Sequence, residues 1–523
     1  MFTSGKMRWG RFLGIALALA LLAGCVPAPP PVSQAVPQAS REGCGTVQPQ
    51  LLQLVAAQPQ AILSVIVQKG PGTWDAEARV AELGGRVTKD LGIINAFAAE
   101  LPASAVPELA KADGVRRVSL DAPMVIQANT MMTAVPTQNV YPAVIKADQA
   151  WTTSAGTLQG QGIAVAVIDS GIAADHPDFL GANGASRVVA SVAVNPATDN
   201  TNDGYGHGTH IAGIIGGNGQ ASGGAFTGVA PQVNLVNVKV SDDAGNVTTS
   251  DVVAGMQWVY EHAAQYNIRV VNLSVNSSVN QSYHVDPLDA AAEILWFDKI
   301  VVVTAAGNLG KKALYAPAND PFVITVGAVD DMGTPKTGDD AVAGFSAYGK
   351  TYDGIAKPDL VAPGVNLIST LAGPDVVLAA AHANHIVGGD TLSSSYFRMS
   401  GTSVATPVVA GAAALILQQN PNLTPDQVKY RLMKTARASA LKGGAVTKGA
   451  GYLDVYSAVT GTSTRSANTG TPASQLLWTG TTPLNWTSAN WGSANWGSAN
   501  WGSANWGSAN WGSANWGCDF WGP

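Results

Sequence analysis

The sequence predicts an α/β protein: a largely parallel sheet with helices on both faces, preceded by a small α+β unit of βαββαβ order. Three observations carry that expectation. Between about residues 141 and 461, short apolar runs alternate with longer helical stretches, as strands joined by crossover helices would. Between residues 61 and 121 the runs are shorter, with two helical stretches set among four extended ones. At 523 residues the chain exceeds one compact domain, and 46% hydrophobic residues suffice for a sizeable core.

From the N-terminus, Lys6, Arg8 and Arg11 precede an apolar run over 12–23, which is short for a membrane span. Residues 1–24 therefore read as an export signal. Residues 25–58 are rich in Pro, Gln and Ala, a composition that stays extended and reads as a linker. The βαββαβ unit follows within 59–128. Its expected elements are a strand over 62–67, a helix over 75–83, and extended runs over 86–91 and 96–101. A helix capped by Ser104 and running through 110 comes next, then a strand over 115–120.

In the central region, 141–461, strands are expected at 163–168, 233–240, 269–273, 300–304 and 322–326. Helices are expected at 207–216, 250–266, 286–299 and 403–419. In such sheets the ligand crevice lies beyond the carboxyl ends of the strands, so polar residues just past a strand are suspects. From 462 to 523 the composition shifts to Ser, Thr, Asn and Gly, ending in six tandem Ser-Ala-Asn-Trp-Gly copies over 488–517. Five residues turn a helix by about 500° and reverse the face of a strand, so the repeat makes no simple amphipathic element. The uncharged, regularly spaced Trp suits a low-complexity tail, with surface adhesion as the second reading.

The formal charge of −6, with no long run of either sign, argues against nucleic acid as a partner. Cys25, Cys44 and Cys518 are the only cysteines, and all lie outside the central region. The central region is therefore expected to be free of disulfides.

Three polar residues stand where the crevice is expected. Asp169 directly follows the strand over 163–168, His207 lies between glycines at the start of an apolar helix, and Ser403 opens another. Singly, each has an ordinary explanation as a turn residue, a structural histidine or an N-cap. Together they run Asp, His, Ser along the chain, the residue types that nucleophilic acyl transfer needs. The segments Val167-Ile168-Asp169-Ser170-Gly171, His207-Gly208-Thr209-His210 and Gly401-Thr402-Ser403 resemble the signature segments of the subtilase family. The likeness spans roughly 320 residues and includes Pro177-Asp178 and Ala305-Ala306-Gly307-Asn308.

That resemblance implies a serine endopeptidase with Ser403 as nucleophile, His207 as general base and Asp169 fixing the imidazole. It assigns the Asn308 amide and the Ser403 N–H to the oxyanion. It also implies that Ser274, Val275 and Asn276, with Gly307, hold the substrate backbone. The family continues that segment with glycines, whereas here Asn276 and Ser277 carry side chains. No cofactor is implied for the chemistry. The resemblance allows a structural calcium with Asp178 as one ligand, while the 216–224 loop either offers carbonyls and Asn218 to it or is a flexible turn. His382 and His385 lie in a long segment over 371–396 and are read as loop histidines, and His210 as structural.

The βαββαβ unit resembles an inhibitory propeptide, which places self-cleavage between residues 121 and 141 and makes that unit a partner of the protease. Leu22-Ala23-Gly24-Cys25 resembles a bacterial lipoprotein signal, so Cys25 is the candidate lipid attachment point and membrane anchor of an exported protein. The rival function is a catalytically idle surface-binding protein that uses its Trp repeats. A non-peptidase serine hydrolase is a third, but Gly401-Thr402-Ser403-Val404-Ala405 lacks the second glycine of its nucleophile elbow.

Overall fold

Apolar alternation along two neighbouring runs builds the centre of the N-terminal unit. Its elements are β1 (Thr46–Val47), α1 (Pro49–Ala57), β2 (Ile62–Lys69), α2 (Ala76–Glu82), β3 (Arg86–Leu91), β4 (Ala96–Pro102), α3 (Val106–Ala110) and β5 (Val115–Leu120). The strands form one sheet in the order β1-β5-β2-β4-β3. Val65, Val67, Phe97, Leu101 and Val118 fill its core against Val80, Val106 and Leu109 of the helices. The expected βαββαβ order is present from β2 to β5.

Two expectations need correction here. The linker does not extend to residue 58, because β1 pairs in parallel with β5 and α1 buries Leu51 completely. The Gln-rich composition hid an apolar face made by Leu51, Leu54 and Val55. Ser104 does not cap α3: it sits inside a short 3-10 turn, Ala103–Ala105, and the helix starts with a proline in its first turn. Proline brings no N–H there, so one fewer donor needs a cap.

The computed structural model describes residues 46–477 apart from 71–74, 127–138, 154–155, 312–313, 388–395 and 442–443. The signal segment, Cys25 and the pentapeptide repeats lie outside the described residues.

After β6 (Met124–Ile126), α4 (Tyr141–Val144) and α5 (Ala147–Trp151) come the short hairpin strands β7 (Thr152–Thr153) and β8 (Gly156–Thr157). The main sheet then begins with β9 (Ala164–Asp169), followed by β10 (Val188–Ala193), α6 (His207–Gly216), β11 (Asn234–Lys239) and α7 (Thr249–Tyr266). Next are β12 (Ile268–Leu273), β13 (Val275–Ser277), α8 (Pro287–Phe297), β14 (Val301–Ala305), β15 (Ile324–Asp330), β16 (Ala341–Val342), α9 (Val377–Ala381) and α10 (Thr402–Gln419). The sheet order is β10-β11-β9-β12-β14-β15-β16, with Leu360–Pro363 also pairing in parallel with β15. Every pairing from β10 to β15 is parallel.

Each residue of β9 is buried, and so is each residue of β14. A strand can be buried at successive positions only when both faces are covered, so the helices lie on both sides of the sheet as expected. Local chemistry sets the helix starts. Thr248 and Asp251 form a capping box at α7, and the Asp286 side chain accepts from Leu288 N (2.8 Å) at α8. β10 was not anticipated. It is an edge strand whose burial alternates, so its apolar signal is diluted.

Candidate active site

Asp169 ends β9, and His207 is the first residue of α6. Both side chains are fully buried, and His207 Nδ1 lies 2.8 and 3.0 Å from the two Asp169 carboxylate oxygens. The loops carrying them interlock through Asp203. Its carboxylate accepts from Ser170 Oγ (2.8 Å), Gly206 N (2.7 Å) and Thr209 N (2.8 Å), and Ser170 Oγ accepts from Gly208 N (2.9 Å). Burial pushes the Asp203 carboxyl above its ordinary pKa, against the pull of these donors. Residue 208 must be glycine, since a Cβ there would fall 2.2 Å from Gly171 O.

His207 Nε2 is buried without a hydrogen-bond partner, so the ring edge opposite the carboxylate is available to take up a proton. His210, one turn on, sits near the Leu367 and Phe397 carbonyls through Nε2 (3.3 and 3.1 Å). Burial, then the neighbouring His207, lowers its pKa to about 3, so it stays neutral.

Parallel register brings the third segment in. Leu273 pairs with Ile168, which puts Ser274 level with Asp169 at the carboxyl ends of adjacent strands. Ser274 Oγ donates to Ser403 O (2.9 Å) and accepts from Asn272 Nδ2 (2.9 Å). Ser403, the second residue of α10, is fully buried, and α10 packs along α6. Asn308 is tied to the same helix start. Its Oδ1 accepts from Thr402 N and Thr402 Oγ1, both at 2.9 Å, which leaves Nδ2 as the donating end of the amide. Gly307 N donates to Thr402 Oγ1 (3.0 Å), and Gly307 has φ +108°, a conformation side chains disfavour. Asp169, His207, Ser403, Asn308, Ser274 and Gly307 therefore meet at one end of the sheet.

A groove beside these residues holds an extended piece of the chain itself. β6 pairs antiparallel with β13, with Ile126 opposite Val275 and Val125 opposite Asn276. On the other edge Met124 N donates to Val247 O (2.9 Å) and Pro123 bridges to Thr248. Met124 and Ile126 are buried and Val125 is 50% exposed, so alternate side chains enter the groove. Val247-Thr248, the second wall, escaped the sequence reading because two residues after a turn have no local pattern. The Asn276 side chain turns away from the paired peptide, with Nδ2 donating to Ala305 O (2.9 Å).

Asp178 lies apart from this cluster. Its Oδ1 accepts from Ala221 N and its Oδ2 from Tyr396 OH, both at 2.8 Å. The carbonyls of Asp178, Gly216 and Val233 accept from the Arg187 guanidinium at 2.6 to 2.7 Å. Each of these oxygens already accepts from a protein donor, and the three carbonyls face a guanidinium cation, an arrangement that disfavours the expected calcium at Asp178. Asn218 is also engaged, its Nδ2 donating to Leu180 O and its Oδ1 accepting from Gln220 N. The His382 and His385 rings lie 5.4 Å apart and tilted by 43°, and His385 is buried, with Nδ1 2.9 Å from Arg398 O. Among the described residues no group of three or more His, Cys, Asp or Glu side chains is placed to hold a metal.

Comparison with known proteins agrees with this geometry. The profile of the subtilase family matches residues 160–463, and one for pentapeptide repeats (8 copies) matches residues 480–519. Serine protease AprX of Bacillus subtilis (strain 168) is 37% identical over 389 residues, covering 71% of this chain and 82% of the relative. Subtilisin NAT of Bacillus subtilis subsp. natto is 34% identical over 386 residues, covering 72% and 84% respectively. Among solved structures, fervidolysin from Fervidobacterium pennivorans, described as a keratinolytic enzyme related to subtilisin, superposes with a TM-score of 0.62. At 23% identity it bears on the fold alone, and the match covers 82% of this chain and 64% of that one. A strand-end carboxylate paired with a helix-start histidine, on a parallel sheet matched over 304 residues by the family profile, leads to one conclusion: the chain belongs to the subtilase family and is a serine endopeptidase.

Proposed function

We propose that the chain is an exported, self-processing endopeptidase in which Ser403 attacks the peptide carbonyl while His207 Nε2 takes up its proton. Asp169 holds the Nδ1–H tautomer and stabilises the imidazolium, and the same proton then goes to the leaving amine. The acyl-enzyme on Ser403 is hydrolysed by water with His207 again as base. The Asn308 amide and the Ser403 N–H receive the oxyanion, and locking of Oδ1 by Thr402 supports that use of Nδ2. The catalytically idle alternative is disfavoured, since an idle scaffold has no need for a connected Asp169, His207, Ser403 and Asn308.

The observation that carries self-processing is the antiparallel seat of Met124–Ile126 between Val275–Ser277 and Val247-Thr248. A substrate held by strand addition would take this place, and Met124–Ile126 runs from Ser277 to Val275, the end next to Ser274 and its bond to Ser403 O. In this reading residues 46–126 are an inhibitory propeptide and the cut falls within 127–139. The groove then prefers substrates with apolar residues two apart, like Met124 and Ile126. Burying each contributes about 1.5–3 kcal/mol before the costs of ordering the peptide. Export rests on the signal over 1–24, and lipid on Cys25 would anchor the N-terminal fragment.

The test is N-terminal sequencing and intact mass of the wild type and Ser403→Ala, with casein digestion alongside. The wild type should digest casein and begin within 127–139, and Ser403→Ala should stay whole and inactive. A wild type that digests casein yet keeps residues 46–126 attached refutes self-processing. Two intact, inactive proteins refute the catalytic assignment.

A further inference from the structure

Within the segment expected from its composition to be a Ser/Thr/Gly-rich tail from residue 462 onward, residues 473–474 and 476–477 are buried. Ala473, Leu476 and Leu477 are 1–3% exposed. Segment 472–477 lies between the two units and bonds to both. On the protease side Tyr283 OH donates to Pro472 O (2.7 Å), Ser474 N to Glu293 Oε2 (2.8 Å) and Gln475 N to His284 O (2.8 Å). On the side of the N-terminal unit Gln68 Nε2, in β2, donates to Leu476 O (2.7 Å), and Arg116 NH2, in β5, donates to Gln475 O (2.6 Å).

We propose that segment 472–477 is a clasp for the inhibitory N-terminal unit, a surface of the protease that this unit reads with Gln68 and Arg116. The proposal rests on the self-processing reading. Both donors reach main-chain carbonyls, so recognition depends on the path of the segment and not on its side chains. Gln68 is 3% exposed, and its amide bridges Leu476 O and Ile94 O (3.0 Å), linking the clasp to the loop that packs on α8. Coupling is reciprocal: whatever factor the clasp adds to retention of the unit, the unit adds to retention of the clasp. When the cleaved unit leaves, two of these five bonds and part of the apolar cover go with it. The segment leading to the pentapeptide repeats then loosens.

The experiment follows the full chain through maturation and reads the half-time between self-cleavage, on a gel, and full activity toward a peptide anilide. Three variants are compared with the wild type: Gln68→Ala with Arg116→Ala, a chain ending at Ser474, and both together. The Gln68 bond is buried but neutral and the Arg116 bond is charge-assisted but exposed, and losing the two together weakens retention about tenfold, so either change shortens the latent phase by about that factor. Because both remove the same contact, the combined chain is no faster than the faster single one. Unchanged kcat after maturation certifies folding. In parallel, amide exchange at Gln475 in the full-length Ser403→Ala protein should quicken when Gln68 and Arg116 are replaced. Latency unchanged within twofold, effects that multiply, or unchanged exchange would each overturn the clasp while leaving self-processing intact. A wild type without cleavage or latency overturns both.

Discussion

Replacing Asp203 tests whether the His207 loop is held from behind. The carboxylate is 3% exposed and accepts three hydrogen bonds, from Ser170 Oγ, Gly206 N and Thr209 N, all within 2.8 Å. Asp203→Ala strands three buried donors at about 1–3 kcal/mol each, and with shared relaxation the total is about 3–6 kcal/mol. Asp203→Asn keeps one accepting oxygen but turns an N–H toward a backbone N–H, costing about 2–4 kcal/mol. Stability is read by urea unfolding in a Ser403→Ala background, which removes autolysis. Activity is read as kcat/KM of the otherwise native enzyme. Both Gly206 N and Thr209 N flank His207, so kcat should fall at least tenfold in Asp203→Asn while KM changes little. An Asp203→Asn protein within about 0.5 kcal/mol of its parent and with undiminished kcat would refute this role.

Further outcomes follow from the same geometry. Asn308→Ala should lower kcat by about 10²–10³-fold with KM nearly constant, checked by steady-state kinetics on a peptide anilide. Burial raises the Asp331 pKa to about 7, so the proton it gains on folding stabilises the protein below its unfolded pKa of about 3.9 and that stability is lost as pH rises to 7. Asp331→Asn, which mimics the protonated form, should therefore gain on the wild type between pH 4 and 7 in urea unfolding, and a pH-independent difference would contradict this. Because the Arg187 guanidinium already supplies the positive charge beside Asp178, chelation by EDTA should move the melting temperature by less than about 2 °C, a shift equal to a fraction of one kcal/mol at this size.

What could be read in advance was set by short-range grammar. Asp169 follows an apolar run that only a buried strand explains, and His207 and Ser403 begin apolar helices, so each catalytic candidate sits at a punctuation point. Asp203 lies in a loop over 198–204 made only of Asn, Thr, Asp and Gly, where a structural carboxylate looks like any turn residue. Val247-Thr248 matters only through pairing with a segment more than a hundred residues earlier. The folded residues 46–57 and 473–477 were hidden for the opposite reason: polar neighbours diluted a few apolar positions, Leu51 at one end and Leu476 and Leu477 at the other.

The distribution of contacts also bears on how latency would outlast a cut beyond Ile126. While the chain is intact, the groove sees its own segment at the millimolar effective concentration of a short tether, and the proposed cleavage would remove that advantage on the primed side only. In the self-processing reading the N-terminal unit would stay docked through contacts outside the groove itself. Asp121 accepts from Ser250 N (2.8 Å) and Ser250 Oγ (2.7 Å), Lys89 pairs with Asp251, and Gln257 Oε1 accepts from Ile93 N (3.2 Å). Asp121 and Asp251 both meet the N-terminus of α7, where the helix dipole favours negative charge, so the docking site is electrostatically prepared. A three-residue strand in the groove could not supply nanomolar retention alone, given the entropic cost of association. In the self-processing reading, retention would belong mainly to α7, α8 and segment 472–477, and inhibition to Met124–Ile126. Loosening the docking surface should then shorten latency without altering what the mature groove cuts.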